Sequence, residues 1–515
     1  MKKVLTLREV NVKGKVVFVR AAYDVPLDST KSLLNPQRVR DDSRIGDTVP
    51  TLAYLIKNNA KIILAAGWVG RPKSEDPELS MAPVALRLQQ ILKEEGMLKH
   101  PVLLTPNCLD GSKPRSVYRN KEEVVRDAAK TKEGQIIVLE NVRYDDEANA
   151  NDENFAKFIA SLAGKNAVYV NEAEAQNHRP EATVVAVPKL IVKNGGKAVF
   201  GFKVAEAIKY IGSMSSLLNK KGRGAFIFFL SGKKIETQVG ITSKITVTHA
   251  LLDKMKQGDV VVAQGAVTYT FIVANEFIGV IEKKIKEAEL IIAKYGKLSK
   301  EQTEENQKQK SDELKKLLGI NDAQIKSLIG NSFVEWKEIG EQIIFAAQLL
   351  LKARPKGVKM LLCLDHTIAN NCPDKYGNLP PDSEIKFYNS PTGIPEGWAG
   401  VAPGPKTIGA ICYEVKKCSL LILAGPLSIE DVKVEQISKV NANLLKSIKE
   451  AKEKGAITIG AGGDTAAIIR KWNGESAFTI MSNAGGATLE LIEKGDKLPG
   501  IMAVEECYSK IKQQP

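Results

Sequence analysis

The sequence predicts an α/β protein built on parallel sheets, and three observations carry that expectation. Ten short apolar runs recur along the 515 residues, the runs are continuous rather than alternating, and helical stretches lie between them. A strand covered on both faces reads as unbroken Val, Ile and Leu, whereas a strand with one wet face alternates. The intervening helices supply the crossovers that parallel pairing requires.

The first four runs are KVVFVRAAYDVP (15–26), AKIILAAGWVGRP (60–72), GQIIVLENVRYD (134–145) and NAVYVNEAEAQNHRP (166–180). The next six are GAFIFFLSGKK (224–234), DVVVAQGAV (259–267), VKMLLCLD (358–365), SLLILAGPL (419–427), AITIGAGGD (456–464) and FTIMSNAGG (478–486). Open parallel sheets bind ligands outside the carboxyl ends of their strands, so the residues that end each run are the informative ones. In the first half these are Arg20, Arg71, Arg143, His178 and Arg179, joined by Arg44 of the loop DDSRIGD. In the second half they are Lys234, Gly265, Gly425, Gly462, Gly463, Asp464, Gly485 and Gly486.

The two halves predict different chemistry. Guanidinium forks bind carboxylate and phosphate bidentately, and several converging on one spot call for a small, highly charged anion to offset their repulsion. Glycine turns at helix starts leave backbone N–H groups bare where the helix dipole favours phosphate. An anion-clamping sheet and a nucleotide-like sheet together predict phosphoryl transfer across an interdomain cleft. Within GAGGDTAAIIR (460–470), Asp464 has two readings. It caps the helix, or it holds the Mg²⁺ that lets a carboxylate stand beside phosphates, since magnesium is usually bound through one or two carboxylates plus phosphate oxygens.

Composition removes other classes. An apolar share of 43% and a charged share of 26% are those of an ordinary globular chain, and no run of 18 apolar residues offers a membrane span. MKKVLTLREV has no apolar core of signal-peptide length, so a cytoplasmic address is expected. Six cysteines without a C-x-x-C predict reduced thiols, and four histidines argue against a His-rich metal site. The net charge of +14 is spread along the chain, with no basic tail and no aromatic–basic interleaving. It reads as a solvated basic surface, with neither a nucleic acid nor a membrane as partner.

At these residues the chain resembles the phosphoglycerate kinase family from end to end. The most specific block is GAITIGAGGDTAAIIRKW with SNAGGATLELIEKGDKLPGI, beside IPEGWAGVAPGPKTI (394–408). VRAAYDVPLD, SRIGDTVPTLAYL, LAAGWVGRPKS, VLENVRYDDE and VYVNEAEAQNHRPEAT keep the order and spacing of that family's N-terminal motifs. The resemblance implies two Rossmann-like domains with parallel sheets joined by a hinge: 1–195 for phosphoglycerate, 196–500 for nucleotide, and a segment 501–515 that returns to the first domain. It implies a monomeric, cytoplasmic enzyme that moves phosphate between ATP/ADP and 3-phosphoglycerate/1,3-bisphosphoglycerate with Mg²⁺. Arg44, Arg71, Arg143 and Arg179 fall on its phosphoglycerate and transfer positions, and Arg20 and His178 match as well. Lys234 falls on a phosphate-binding lysine, and Lys244 on the next lysine, delayed by about six inserted residues. Gly462, Gly463, Asp464 and Thr465 fall on the phosphate and magnesium turn, and Glu430 on the ribose-binding acid. Arg44, Lys234 and Lys244 are the expected catalytic group.

The departures from the family are concrete. Ala22 and Asp24 stand where it has aspartate and asparagine, and Trp68 where it has histidine. EAEAQN before His178 adds Glu172 and Glu174. Gln264, Gly265 and Ala266 replace a triple glycine, and Ala424 precedes Gly425 and Pro426. An insertion at about 280–330 contains the polar stretch 297–316, read as a loop or a solvated helix, and NDAQ (321–324), read as a capping box. A tolerated surface insertion and a docking element for a protein assembly are both compatible with it. These losses give a second reading, a degenerate paralogue kept as a binding or structural component.

Overall fold

The computed structural model describes residues 5–232, 244–297, 304–374, 378–429 and 434–512. The chain divides into two compact units, Met1–Ser213 with Lys494–Pro515, and Met214–Glu493.

The first unit holds one six-stranded sheet formed by β1 (Val16–Ala21), β2 (Ile62–Ala66), β3 (Leu103–Thr105), β4 (Gln135–Leu139), β5 (Val168–Glu172) and β6 (Lys197–Phe200). Their order across the sheet is β3-β4-β2-β1-β5-β6, and every pairing is parallel. β4 and β5 are buried at every residue, which is what helices on both faces demand and why these runs do not alternate. The core is a cluster that includes Val17, Val19, Leu52, Ile63, Leu88 and Val170. β6 lies beyond residue 195, where the sequence sets the first boundary, and pairs with β5. The helix Pro499–Lys512 packs onto this unit: Gly500 N donates to Asn177 O at 3.0 Å, Asn171 Nδ2 donates to Gly500 O at 3.2 Å, and Lys189 pairs with Glu506 at 2.7 Å.

The second unit holds β7 (Ala225–Gly232), β8 (Val260–Gly265), β9 (Lys359–Leu361), β10 (His366–Ala369), β11 (Ile385–Tyr388), β12 (Ala399–Pro403), β13 (Cys418–Ala424), β14 (Ile457–Ala461) and β15 (Ile480–Ser482). Six of them form a second parallel sheet in the order β15-β14-β13-β7-β8-β9. All ten predicted runs therefore contain a strand. The prediction misses β3 and β6, which are three and four residues long, and an antiparallel sheet in the order β11-β10-β12. The run 358–365 yields only β9, because Asp365 turns away to accept the N–H groups of Lys406 and Thr407 at the start of the helix Pro405–Val415.

The stretch 280–330, read from the sequence as an insertion, is helical where it is described, and the helices begin at Ile278. Ile278–Lys297, Glu304–Leu318 and Asp322–Ile329 are helices. The capping box at Asn321 is present, with Gln324 N donating to Asn321 Oδ1 and Asn321 N donating to Gln324 Oε1, both at 2.9 Å. Of the stretch 297–316, read as a loop or a solvated helix, residues 298–303 lie outside the described residues and the rest is helix with a buried face: Lys310, Ser311 and Leu314 are buried, and Lys310 Nζ lies 2.6 Å from the Glu341 carboxylate, itself inaccessible, in the helix Ile339–Ala353. A polar-looking helix found its partner in a buried ion pair, which composition does not reveal.

Candidate functional site

In the first unit, four adjacent strands in the order β4-β2-β1-β5 bring the predicted arginines to one sheet edge. Arg20 is the penultimate residue of β1 and is fully buried; Nη2 donates to Glu181 Oε2 at 2.9 Å and Nε to Thr183 Oγ1 at 2.8 Å. Arg143 sits in the turn Val142–Tyr144 after β4. Asn141 shapes that turn: its side-chain oxygen accepts Arg143 N at 3.0 Å, and its amide donates to Val69 O and Leu79 O at 2.8 Å each. The Arg143 guanidinium donates to Gly70 O at 2.8 Å and to Glu181 Oε1 at 3.4 Å, and lies over the Trp68 ring, 3.2 Å from its centroid. Burial, aided by the neighbouring charge of Arg179 and opposed by Glu181, lowers its pKa from the ordinary arginine value. Trp68 Nε1 donates to Glu181 Oε2 at 3.2 Å.

The other cations of this edge are more open. Arg44 is half-buried; it donates to Asp24 O and lies 3.6 Å from the Asp24 carboxylate, which also accepts Gly70 N at 3.1 Å. Arg71 is exposed, and Arg179 and His178 are half-buried. Among the described residues neither Arg71 nor Arg179 has an acidic partner. Glu172 accepts the Thr51 hydroxyl at 2.5 Å and the N–H groups of Lys203 and Val204 at 3.3 Å each, and burial pushes its pKa up to about 7. Glu181 carries no mark in the sequence that sets it apart as a site residue. The only signal available was an acid two residues beyond Arg179 in HRPEA, and spacing alone does not aim it at Arg20.

In the second unit, β14, β13, β7 and β8 are neighbours, so the turns after them share one edge. Gly462 has φ +104° and opens the helix Gly463–Lys471, in which Asp464 is the second residue. Thr465 is buried, and its hydroxyl accepts Gly425 N at 2.8 Å, tying the turn after β14 to the turn after β13. Gly425 has φ +111°; a Cβ there would collide with the Ser231 carbonyl and lie 2.9 Å from Lys244 Nζ. Lys244, first residue of the helix Lys244–Lys254, donates to Ser231 O, so its ammonium rests over the end of β7. Gly265 has φ +70°, and a Cβ there would press on Gly232 and Pro426. Gly485 has φ +54°, and Gly486 begins the helix Gly486–Lys494. Lys234 and Glu430 lie outside the described residues.

Beside these turns is a cavity of about 390 Å³, lined by Gly232, Gln264, Gly265, Tyr269, Phe333, Val401, Leu427 and Ile429. Gln264 is fully buried; Oε1 accepts the Cys363 thiol at 3.1 Å, while Nε2 has no partner among the described residues. Burial pushes the Cys363 thiol up to about 12. Among the described residues no three His, Cys, Asp or Glu side chains could hold a metal. No described helix is long and apolar enough to cross a membrane.

Known proteins agree with this architecture. A solved phosphoglycerate kinase from Coxiella burnetii matches 99% of this chain and 100% of its own with a TM-score of 0.64 at 22% identity, a likeness of fold. The family model "Phosphoglycerate kinase" matches residues 7–313 and 321–495. Cytosolic phosphoglycerate kinase of Triticum aestivum is 30% identical over 97% of this chain and 98% of its own length. A chloroplastic one of Arabidopsis thaliana is 30% identical over 98% and 82%. Fold and sequence thus define a transferase of the kinase type. The chain belongs to the phosphoglycerate kinase family, whose members use ATP or ADP with Mg²⁺.

Proposed function

We propose that the chain transfers phosphate between ATP and the carboxylate of 3-phosphoglycerate, each substrate being held by one of the two strand-end edges. The observation that carries this reading is the segregation of groups: arginines end the strands of one parallel sheet, while glycines, Lys244 and a helix N-terminus end those of the other. Arg71, Arg179 and Arg44 are the accessible cations for phosphoglycerate, with His178 beside them. The helix start at Gly462–Thr465, Lys244 and, from its place in the motif, Lys234 hold nucleotide phosphates. The cavity at Gly265 takes the nucleoside; from their places in the motifs, Glu430 takes the ribose and Gly485 and Gly486 serve the nucleotide.

A carboxylate oxygen of 3-phosphoglycerate attacks the γ-phosphorus, the bond to the bridging oxygen breaks, and ADP leaves as the acyl phosphate forms. Such transfer depends on positioning and charge neutralisation rather than on covalent groups of the protein. From their places in the motifs, Arg44 and Lys244 are the cations that neutralise charge on the moving group. Magnesium, which Asp464 would hold with phosphate oxygens, supplies further neutralisation when bound. A cytoplasmic location and a monomer accompany this reading.

A second reading, a chain that binds nucleotide but turns over little, is favoured by Glu181 sitting on two arginines and by Gln264 standing in the cavity. Separate calorimetric titrations with Mg–ADP and with 3-phosphoglycerate test the first reading. Saturable binding of both supports it, binding of nucleotide alone supports the second, and binding of neither refutes both.

A further inference from the structure

We infer that Glu181 is a resident anion of the first unit: its carboxylate fills a seat between Arg20 and Arg143 and thereby sets how tightly that edge binds a small anionic ligand. The inference rests on the reading that this edge binds phosphoglycerate. Three donors converge on the one carboxylate, Arg20 Nη2 at 2.9 Å, Trp68 Nε1 at 3.2 Å and Arg143 Nη2 at 3.4 Å. They come from the end of β1, the loop after β2 and the turn after β4, and Glu181 itself from the segment after β5. The acid therefore lies at the strand-end edge where an open parallel sheet takes its ligand. Two guanidinium groups and an indole N–H around a planar carboxylate are also the donor set that a substrate carboxylate or phosphate would need.

The consequence is a division among the cations. Arg20 is fully buried and Arg143 is 7% exposed, with its guanidinium held against the Trp68 ring. Both are engaged by Glu181. Arg71 and Arg179 have no acid to satisfy them among the described residues, and Arg44 shares Asp24 with a loop amide. An incoming anion thus meets Arg71, Arg179 and Arg44 and is repelled by the Glu181 charge behind them. Glu181 is a specificity-determining residue that acts through Arg143, not a group that touches substrate.

A purely structural brace predicts the opposite sign, so the test is decisive. In the full-length chain, Glu181→Gln keeps the shape of the side chain and removes its charge. Thermal-shift and calorimetric titrations are made with inorganic phosphate and with 3-phosphoglycerate, and Mg–ADP serves as a control in the other unit. The inference predicts that both anions bind about tenfold more tightly or better, with a steeper loss of affinity as salt rises, because one negative charge has left a partly dry site. Glu181→Asp retains the charge, and so the fold if the glutamine variant lacks a cooperative transition. Its shorter arm releases Arg143, the longest of the three contacts, and affinity rises by a few-fold. Unchanged or weaker phosphate binding in whichever variant folds overturns the inference. Phosphate gained by the variant while neither chain binds 3-phosphoglycerate leaves the seat assignment standing and overturns the phosphoglycerate reading instead.

Discussion

Glu172 gives the first unit an acid-favoured stability that can be measured directly. Its carboxyl is buried, and burial raises the pKa from 4.5 to about 7 despite hydrogen bonds from Thr51, Lys203 N and Val204 N that favour the charged form. A group whose folded pKa lies above its unfolded value contributes stability that is complete below the unfolded value. That stability is lost as pH rises through the folded value. The window here runs from about pH 4.5 to about pH 7. With one pKa unit worth about 1.4 kcal/mol, ionising Glu172 costs the fold about 3 kcal/mol at alkaline pH, of which about 2 to 3 kcal/mol appears between pH 5 and pH 8. Glu172→Gln removes that titration while keeping one oxygen to accept. Urea unfolding of both chains across pH 5–8 should show the variant losing ground at pH 5, by about 1 kcal/mol for the weakened hydrogen bonds. It should gain on the parent by about 2 to 3 kcal/mol on reaching pH 8. Parallel pH profiles for the two chains would refute the reasoning.

Three further outcomes are expected. Gly425→Ala forces a side chain into φ +111° and against the Ser231 carbonyl and the Lys244 ammonium. It should destabilise the fold by about 2 to 4 kcal/mol in urea unfolding and weaken Mg–ADP binding in calorimetry, through displaced backbone at the end of β7. Lys310→Met leaves the buried Glu341 carboxylate without its ammonium and should cost about 3 to 5 kcal/mol in the same unfolding assay. Replacing both by apolar residues, Lys310→Met with Glu341→Leu, should recover most of it. Asn321→Ala removes the cap of the helix Asp322–Ile329 and should cost about 1 kcal/mol, read as a lowered unfolding midpoint, with no effect on ligand titrations.

The sheets were legible in the sequence because burial on both faces leaves long apolar runs, as in β1, β7 and β13, and a run survives without any knowledge of its neighbours. β3 was not legible, since LLT between Pro101 and Pro106 is too short to stand out. β10–β12 escaped because antiparallel pairing across Asn- and Pro-rich turns gives no continuous run. Among site residues, Arg44, Arg143, Lys244 and Thr465 were named from motifs, but motifs carry no partners. That the Arg20 guanidinium is spent on Glu181, 161 positions away in sequence, and that Trp68 carries the Arg143 fork on its face, follow from how the turns after β1, β2, β4 and β5 are brought side by side. The buried face of Glu304–Leu318 was hidden for the same reason: Lys310 and Ser311 count as polar in any composition, and only Glu341 on another helix makes a buried place for the lysine.

The most direct test of the central claim is a coupled assay of ATP formation from ADP and 1,3-bisphosphoglycerate in the presence of Mg²⁺, run on the full-length chain and on Arg71→Ala and Lys244→Ala. The account predicts measurable turnover by the parent chain, with at least a tenfold loss of kcat/KM in each variant as one charge-assisted contact is removed. No turnover by the parent chain, or turnover that survives both substitutions, would contradict it.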